Sequence, residues 1–122
     1  MPLTVYATTT TSIGELVPTF REAGYLVFFG ENAPEELHDF CILHKVEHQE
    51  DELKAGDVVV VGSTELEVLA VGEVANANLM NLGHLNLKAN GLHEAELPGD
   101  VNVAAVELPE VNVGTRITII RK

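Results

Sequence analysis

Short β-type runs separated by glycine turns constrain the fold of this chain more than any other feature. β-Branched and aromatic residues fit the pleated surface of a sheet, and glycine supplies the positive φ that tight turns need. The runs predict strands at residues 4–11, 25–29, 40–44, 58–61, 66–71, 85–89, 101–106 and 115–120. Short helices are predicted at 34–38 and 76–82, and an acidic connection at 47–52. We therefore expect one all-β domain over residues 1–122, an antiparallel barrel or sandwich with one or two short helices.

The charge of the chain limits the partners that it can bind. Seven Lys and Arg residues stand against nineteen Asp and Glu, which gives a formal net charge of -12. Nucleic acids and anionic lipids attract basic surfaces, so we expect no nucleic acid, no direct membrane insertion and instead a partner with a basic face. The single cysteine, Cys41, excludes an internal disulfide and fits a reducing cytoplasm. We expect its side chain to be a small buried hydrophobe.

The predicted strand at 40–44 ends on a histidine. Side chains alternate along a strand, so Phe40, Ile42 and His44 share one face, and the imidazole lies at the rim of an apolar surface. A neutral imidazole in that place can act as a base, as a metal ligand or as a nucleophile toward phosphorus. A lone histidine can equally be an ordinary residue at the end of a strand. Composition alone does not choose among these roles.

His84 is the second histidine of interest because it follows a glycine. The missing Cβ of Gly83 lets another backbone or a phosphate approach closely, so we expect the His84 imidazole near His44, with simple solvent exposure as the alternative. The remaining histidines are expected to be solvated: His38, His48 and His93. No spacing of His, Cys or acidic residues matches a metal-binding motif, and the sequence has no glycine-rich phosphate loop.

Four short stretches match one known family in order and spacing. They are Phe40-Cys41-Ile42-Leu43-His44, Ala70-Val71-Gly72-Glu73-Val74-Ala75 with Asn78-Leu79, Leu82-Gly83-His84-Leu85, and Gly91-Leu92-His93-Glu94-Ala95-Glu96-Leu97-Pro98-Gly99. No single stretch is specific, but all four stand in register between Thr4 and Thr118. With them the chain resembles the glucitol/sorbitol-specific enzyme IIA component of the bacterial sugar phosphotransferase system.

The resemblance implies an all-β barrel-like fold and action in the cytoplasm between HPr, the phosphoryl donor, and the enzyme IIB/IIC glucitol permease components. The family's acceptor histidine closes the Cys-x-x-His run, which implies that His44 is the phosphoryl acceptor. We expect Nε2 to take the phosphoryl group while a hydrogen bond holds the other ring nitrogen. His84 or Lys45 is a candidate to stabilise the phosphoryl oxygens, and Phe40 with Ile42 to form an apolar docking patch. No metal or nucleotide cofactor is required, since the donor is itself a phosphohistidine.

Some alternatives stay open at the level of the sequence. Residues 45–51 follow no family pattern, so partner and sugar preference are open, as is a homo-oligomer. The first rival class is a non-catalytic regulatory β-domain of the same fold. The second is a metal-dependent small-molecule binder that gathers His44, His84 and acidic residues in the mouth of a barrel.

Overall fold

Eight strands form a closed barrel in the computed structural model, which describes residues 3–122. The strands are β1 (Leu3–Ile13), β2 (Tyr25–Gly30), β3 (Ile42–Gln49), β4 (Val58–Val61), β5 (Thr64–Val71), β6 (Leu85–Lys88), β7 (Asp100–Val103) and β8 (Arg116–Arg121). The helical segments are α1 (Val17–Glu22), α2 (Ala75–Leu82) and a 3-10 turn at Glu35–Leu37. Residues 1 and 2, which the predicted domain includes, lie outside the described residues.

The order of strands around the barrel is β1-β3-β2-β6-β7-β5-β4-β8. Neighbours are antiparallel except for two pairs within residues 3–122, β2 with β3 and β6 with β7, which are parallel. The predicted all-β barrel with short helices is confirmed. The parallel pairs were not part of the prediction. A strand has the same alternating pattern whether a hairpin makes it antiparallel to its neighbour or a crossover makes it parallel. The crossover between β2 and β3 contains the 3-10 turn.

Two predicted boundaries differ from the structure for physical reasons. β3 begins at Ile42 rather than at Phe40, and it continues past the predicted end at His44 to Gln49. Residues 47–49, which were predicted to begin the acidic connection, therefore belong to the strand. The ladder with β1 holds these residues, from Thr10 opposite His44 to Tyr6 opposite Gln49, so backbone pairing rather than side-chain burial keeps them extended. Helix α1 was not predicted. It is only six residues long and buries a single side chain, so it has no apolar periodicity to detect.

The core fills the inside of the barrel, and a smaller apolar cluster lies on its outside. Phe28 of β2 points inward to the core, where Ile42 of β3 is also buried. Phe29, the next residue, points outward and packs with Ala33, Cys41 and Leu43. The expectation that Cys41 is a buried hydrophobe is confirmed. Consecutive side chains of β2 therefore serve two separate apolar clusters.

Helix α2 ends beside the end of β2. It stops at Gly83, which has a φ of 65° in the left-handed region, a conformation that glycine adopts without a Cβ penalty. The predicted hairpin between β4 and β5 is confirmed, with Gly62 in its turn at a φ of 63°. Across residues 3–122 every helix is too short or too polar to cross a bilayer.

Candidate functional site

His44 lies on β3 at the point where its parallel neighbour β2 stops. It pairs with Gly30, the last residue of β2, and with Thr10 of β1 on the other side. Beyond this register a cavity of about 450 Å³ opens. It is lined by the loop after β2, by the outer half of β3 and by the end of α2. The imidazole lines this cavity, although the residue as a whole is only 2% exposed.

Both ring nitrogens of His44 have hydrogen-bond partners. Nδ1 is 2.6 Å from Oγ1 of Thr8 on β1, and Nε2 is 2.6 Å from the carbonyl oxygen of Gly83. A carbonyl oxygen only accepts, so Nε2 must carry a proton and donate it. In the neutral ring Nδ1 then holds the lone pair and accepts from the Thr8 hydroxyl. The sequence predicted a hydrogen bond on one ring nitrogen and a free Nε2 as the phosphoryl acceptor. In the structure both nitrogens are hydrogen-bonded, including Nε2.

The surroundings of His44 favour its neutral form. Burial lowers the pKa of the imidazole, while the hydrogen bond to Gly83 and the negative charge of Glu31 act in the opposite direction. The net shift of the pKa is downward from 6.5. A neutral imidazole retains a lone pair, which is the form that nucleophilic attack or metal ligation requires.

Gly83 is in close contact with the site. A Cβ built on this residue would lie 2.9 Å from the backbone nitrogen of Gly30 and 3.2 Å from Cε1 of His44. The expectation that Gly83 permits a close approach is confirmed, and the groups that approach are a backbone and the His44 ring. Its left-handed φ is a second reason why other residues fit poorly here.

The His84 imidazole lies on the other side of β2 from His44. Its ring centroid is 4.8 Å from that of the outward-facing Phe29, whereas the His44 ring lies 6.1 Å from the inward-facing Phe28. His84 is half-buried, which lowers its pKa, and its buried Nδ1 has no hydrogen-bond partner among the described residues. The chain at residues 83–84 therefore reaches His44 through the Gly83 carbonyl, and the His84 ring does not line the cavity.

The other residues named from the sequence have varied surroundings. Ile42 is fully buried in the core, so the predicted docking patch of Phe40 and Ile42 is wrong, and Phe40 is an exposed residue outside β3. Lys45 does line the cavity and is exposed. His48 and His93 are exposed as expected, but His38 is partly buried and its Nε2 lies 2.9 Å from the carbonyl oxygen of Ala33.

Thr8, Glu31 and the exposed apolar side chains of Val46 and Leu82 belong to this site but were not found from the sequence. Thr8 is one threonine in a run that only indicated a strand. Its partnership with His44 depends on the register between β1 and β3, which carries an irregularity between Ala7 and Thr8. No local signal in the sequence encodes such a register.

The arrangement does not gather a metal centre. Within residues 3–122, no three His, Cys, Asp or Glu side chains converge in a way that could hold a metal ion. The predicted cluster of His44, His84 and acidic residues at a barrel mouth is therefore not formed by these side chains, because β2 separates the two imidazoles.

Comparison with known proteins decides the family. The family model for the glucitol/sorbitol-specific IIA component of the phosphotransferase system (PTS) matches residues 5–118. The chain belongs to this family. PTS system glucitol/sorbitol-specific EIIA components from Shigella flexneri and Escherichia coli (strain K12) are each 39% identical to it over 100 residues, which are 82% of this chain and 81% of theirs.

The structure agrees with this IIA family. A crystal structure of a PTS system IIA component from Enterococcus faecalis V583 matches with a TM-score of 0.80 and 26% sequence identity. The match covers 91% of this chain and 96% of that chain. As a member of the family, the protein is a part of the phosphotransferase system and works with other PTS proteins, such as IIB and IIC components.

Proposed function

We propose that this protein is a phosphoryl carrier that works through a phosphohistidine at His44. In this proposal His44 takes a phosphoryl group from phospho-HPr in the cytoplasm and passes it to the enzyme IIB component. The IIB and IIC components then take up and phosphorylate glucitol/sorbitol, the substrate named in the family and in both relatives. The protein acts as a phosphotransferase component and needs no metal or nucleotide of its own for this step.

The observation that carries the proposal is the environment of the His44 ring. Burial lowers the pKa of the ring, which favours its neutral form, and the ring is fixed by two hydrogen bonds and lines a cavity at the edge of the barrel. Phosphoryl transfer asks the protein for in-line positioning and charge stabilisation rather than for covalent work. A rigid strand position in the wall of a cavity supplies the positioning.

The transfer step is balanced between two imidazoles. A lone pair of His44 forms the new nitrogen–phosphorus bond, the phosphorus–nitrogen bond of the donor breaks, and its electron pair stays on the donor ring. The chemical character of the bond is the same on both sides, so the protein has little free energy to supply.

Charged and apolar groups around the cavity suit this role. Lys45 lines the cavity and carries the positive charge available for the phosphoryl oxygens. The exposed Val46 and Leu82 take the place of the predicted patch as apolar docking residues. The net charge of -12 favours a donor with a basic face. A supporting role for His84 stays a prediction, as does a homo-oligomeric state.

The test is phosphorylation with purified components. Radiolabelled phosphoenolpyruvate, enzyme I and HPr should place an acid-labile, base-stable label on the wild-type protein. The His44→Gln variant keeps size and some hydrogen bonding but lacks the nucleophile, so its labelling should disappear. Matched controls that should label normally are His38→Gln, His48→Gln and His93→Gln. Normal labelling of His44→Gln would overturn the proposal.

A second stage tests the direction of transfer and the sugar. Labelled protein should lose its phosphoryl group rapidly to a glucitol-type IIB component and slowly to a IIB component of another sugar class. A wild-type protein that folds but takes no label from phospho-HPr would point to the regulatory domain. Metal that stays bound through purification would point to the small-molecule binder.

A further inference from the structure

The Thr8 hydroxyl is hydrogen-bonded to His44 and, unlike a carbonyl oxygen, it can either donate or accept that hydrogen bond. It lies 2.6 Å from Nδ1, and Thr8 itself is buried on β1. A hydroxyl can donate or accept a hydrogen bond by rotating about its carbon–oxygen bond, whereas the carbonyl of Gly83 on the other nitrogen can only accept one. The two partners of the ring are therefore chemically unequal.

This inequality matters because Nε2 carries the proton in the resting arrangement. A protonated Nε2 has no lone pair for phosphorus, and the Gly83 carbonyl occupies the direction of its proton. Gly83 lines the cavity and Thr8 does not, so the Nε2 side is the one that faces an incoming donor. Attack from the cavity needs the other tautomer, with the proton on Nδ1 and the lone pair on Nε2.

We propose that Thr8 is a positioning residue for the phosphoryl acceptor, because its hydroxyl can bond to Nδ1 in both tautomers of His44. At rest the hydroxyl donates to Nδ1. In the reactive state it rotates and accepts a hydrogen bond from Nδ1–H, and Nε2 is free for attack once the Gly83 carbonyl moves away. This inference rests on the proposed function and adds to it the residue that holds the ring during attack.

The proton balance passes through the imidazolium. Nδ1 takes up one proton from solvent water and Nε2 then releases one proton to solvent in the cavity, so the ring is neutral before and after. In the imidazolium both N–H groups remain satisfied, one by Thr8 and one by Gly83. Nε2 then bonds to phosphorus, the donor's phosphorus–nitrogen bond breaks, and no proton moves in that step.

The neighbouring Thr10 offers a matched control. It lies on the same strand two residues away, is as deeply buried as Thr8 and stands opposite His44 in the pairing of β1 with β3. Its hydroxyl, however, has no hydrogen-bond partner among the described residues. Loss of the Thr10 hydroxyl therefore removes a buried threonine oxygen without removing a hydrogen bond to the ring.

The experiment compares Thr8→Val, Thr8→Ser and Thr10→Val in the full chain. Thr8→Val leaves Nδ1–H without an acceptor in the reactive tautomer, so labelling by phospho-HPr should slow by about tenfold or more. Thr8→Ser keeps a hydroxyl and should label within about threefold of wild type, and Thr10→Val should match wild type. Thermal unfolding checks that each variant folds.

A spectroscopic readout separates this role from a packing role. In protein with isotope-labelled histidine, long-range nitrogen–proton NMR correlations report which ring nitrogen of His44 carries the proton. We expect Nε2–H in the free protein, Nδ1–H in the phosphorylated protein, and a shifted Nδ1 resonance in Thr8→Val but not in Thr10→Val.

The outcomes distinguish the two proposals. Equal labelling rates for Thr8→Val and wild type would overturn the role of Thr8 alone, as would equally slow labelling of Thr8→Val and Thr8→Ser, which would indicate packing. Absence of label from wild-type His44 would overturn the proposed function, and the positioning role with it.

Discussion

Each face of β2 has a histidine from another part of the chain packed against it, and the two histidines differ in the hydrogen bonds of their ring nitrogens. On the inner face His44 lies against Phe28 and has a partner for each ring nitrogen. On the outer face His84 lies against Phe29, and its buried Nδ1 has no partner among the described residues. Burial lowers the pKa of both rings, so loss of solvent alone does not distinguish them.

The difference shows that burial alone does not identify a reactive histidine. His44 is held in one orientation by groups from two other elements, β1 and the end of α2, and it lines a cavity. His84 also packs against a phenylalanine, but its ring does not line the cavity. Fixed orientation together with access is what phosphoryl transfer needs, and the described contacts give both to His44.

The largest effect on this comparison is expected from Gly83→Ala, since residue 83 touches His44 and precedes His84. The new Cβ would meet the Gly30 nitrogen at 2.9 Å in a left-handed conformation, so unfolding free energy should fall by about 2–4 kcal/mol. Labelling should fall as well, because the His44 ring is displaced. Denaturant unfolding measures the first effect.

Gly114→Ala is the control for that experiment. Gly114 also has a positive φ, of 92°, but nothing lies within 4 Å of its built Cβ. The unfolding free energy of Gly114→Ala should fall by only about 1–2 kcal/mol, which is the cost of the left-handed backbone conformation alone. Equal losses in the two variants would mean that the close approach at Gly83 contributes nothing.

The pH dependence of stability is expected to be intermediate in size and to involve both histidines. Their folded-state pKa values lie below the unfolded value of 6.5, so the unfolded chain takes up protons first as the pH falls. The unfolding free energy should therefore fall below about pH 6.5 and should be independent of these two groups above it. Denaturant unfolding at several pH values measures the slope.

Two variants assign that slope. His44→Gln and His84→Gln should each flatten the fall in unfolding free energy between neutral and mildly acidic pH, because each removes one buried base. A slope that neither substitution changes would show that other groups cause it.

The smallest effect is expected from His84→Phe. Phenylalanine keeps the aromatic contact with Phe29 and removes the buried nitrogen without a partner, so stability should rise by at most about 1 kcal/mol. Labelling of His44 should change by less than about threefold, because the His84 ring does not line the cavity. A tenfold loss of labelling would instead support the predicted role of His84 in binding the phosphoryl group.

Strand positions were predictable where local chemistry dominates. The valines of β4 and the glycine turn before β5 defined their hairpin, and α2 ended at Gly83 as its sequence indicated. The continuation of β3 through residues 45–49 was missed because those side chains are exposed and, apart from Val46, polar. There the pairing with β1 determines the strand, and pairing partners distant in sequence leave no local pattern.

The sequence by itself determined the alternation of apolar side chains, the turns and the family resemblance with His44 as the candidate acceptor. Only the tertiary structure decided that Thr8 and Gly83 hold the two nitrogens of His44 and that His84 lies across β2 from it. The physical reason is that hydrogen bonds between distant residues depend on strand register and chain crossover. Those are set by the packing of the whole barrel, whereas alternation and turn chemistry are set residue by residue.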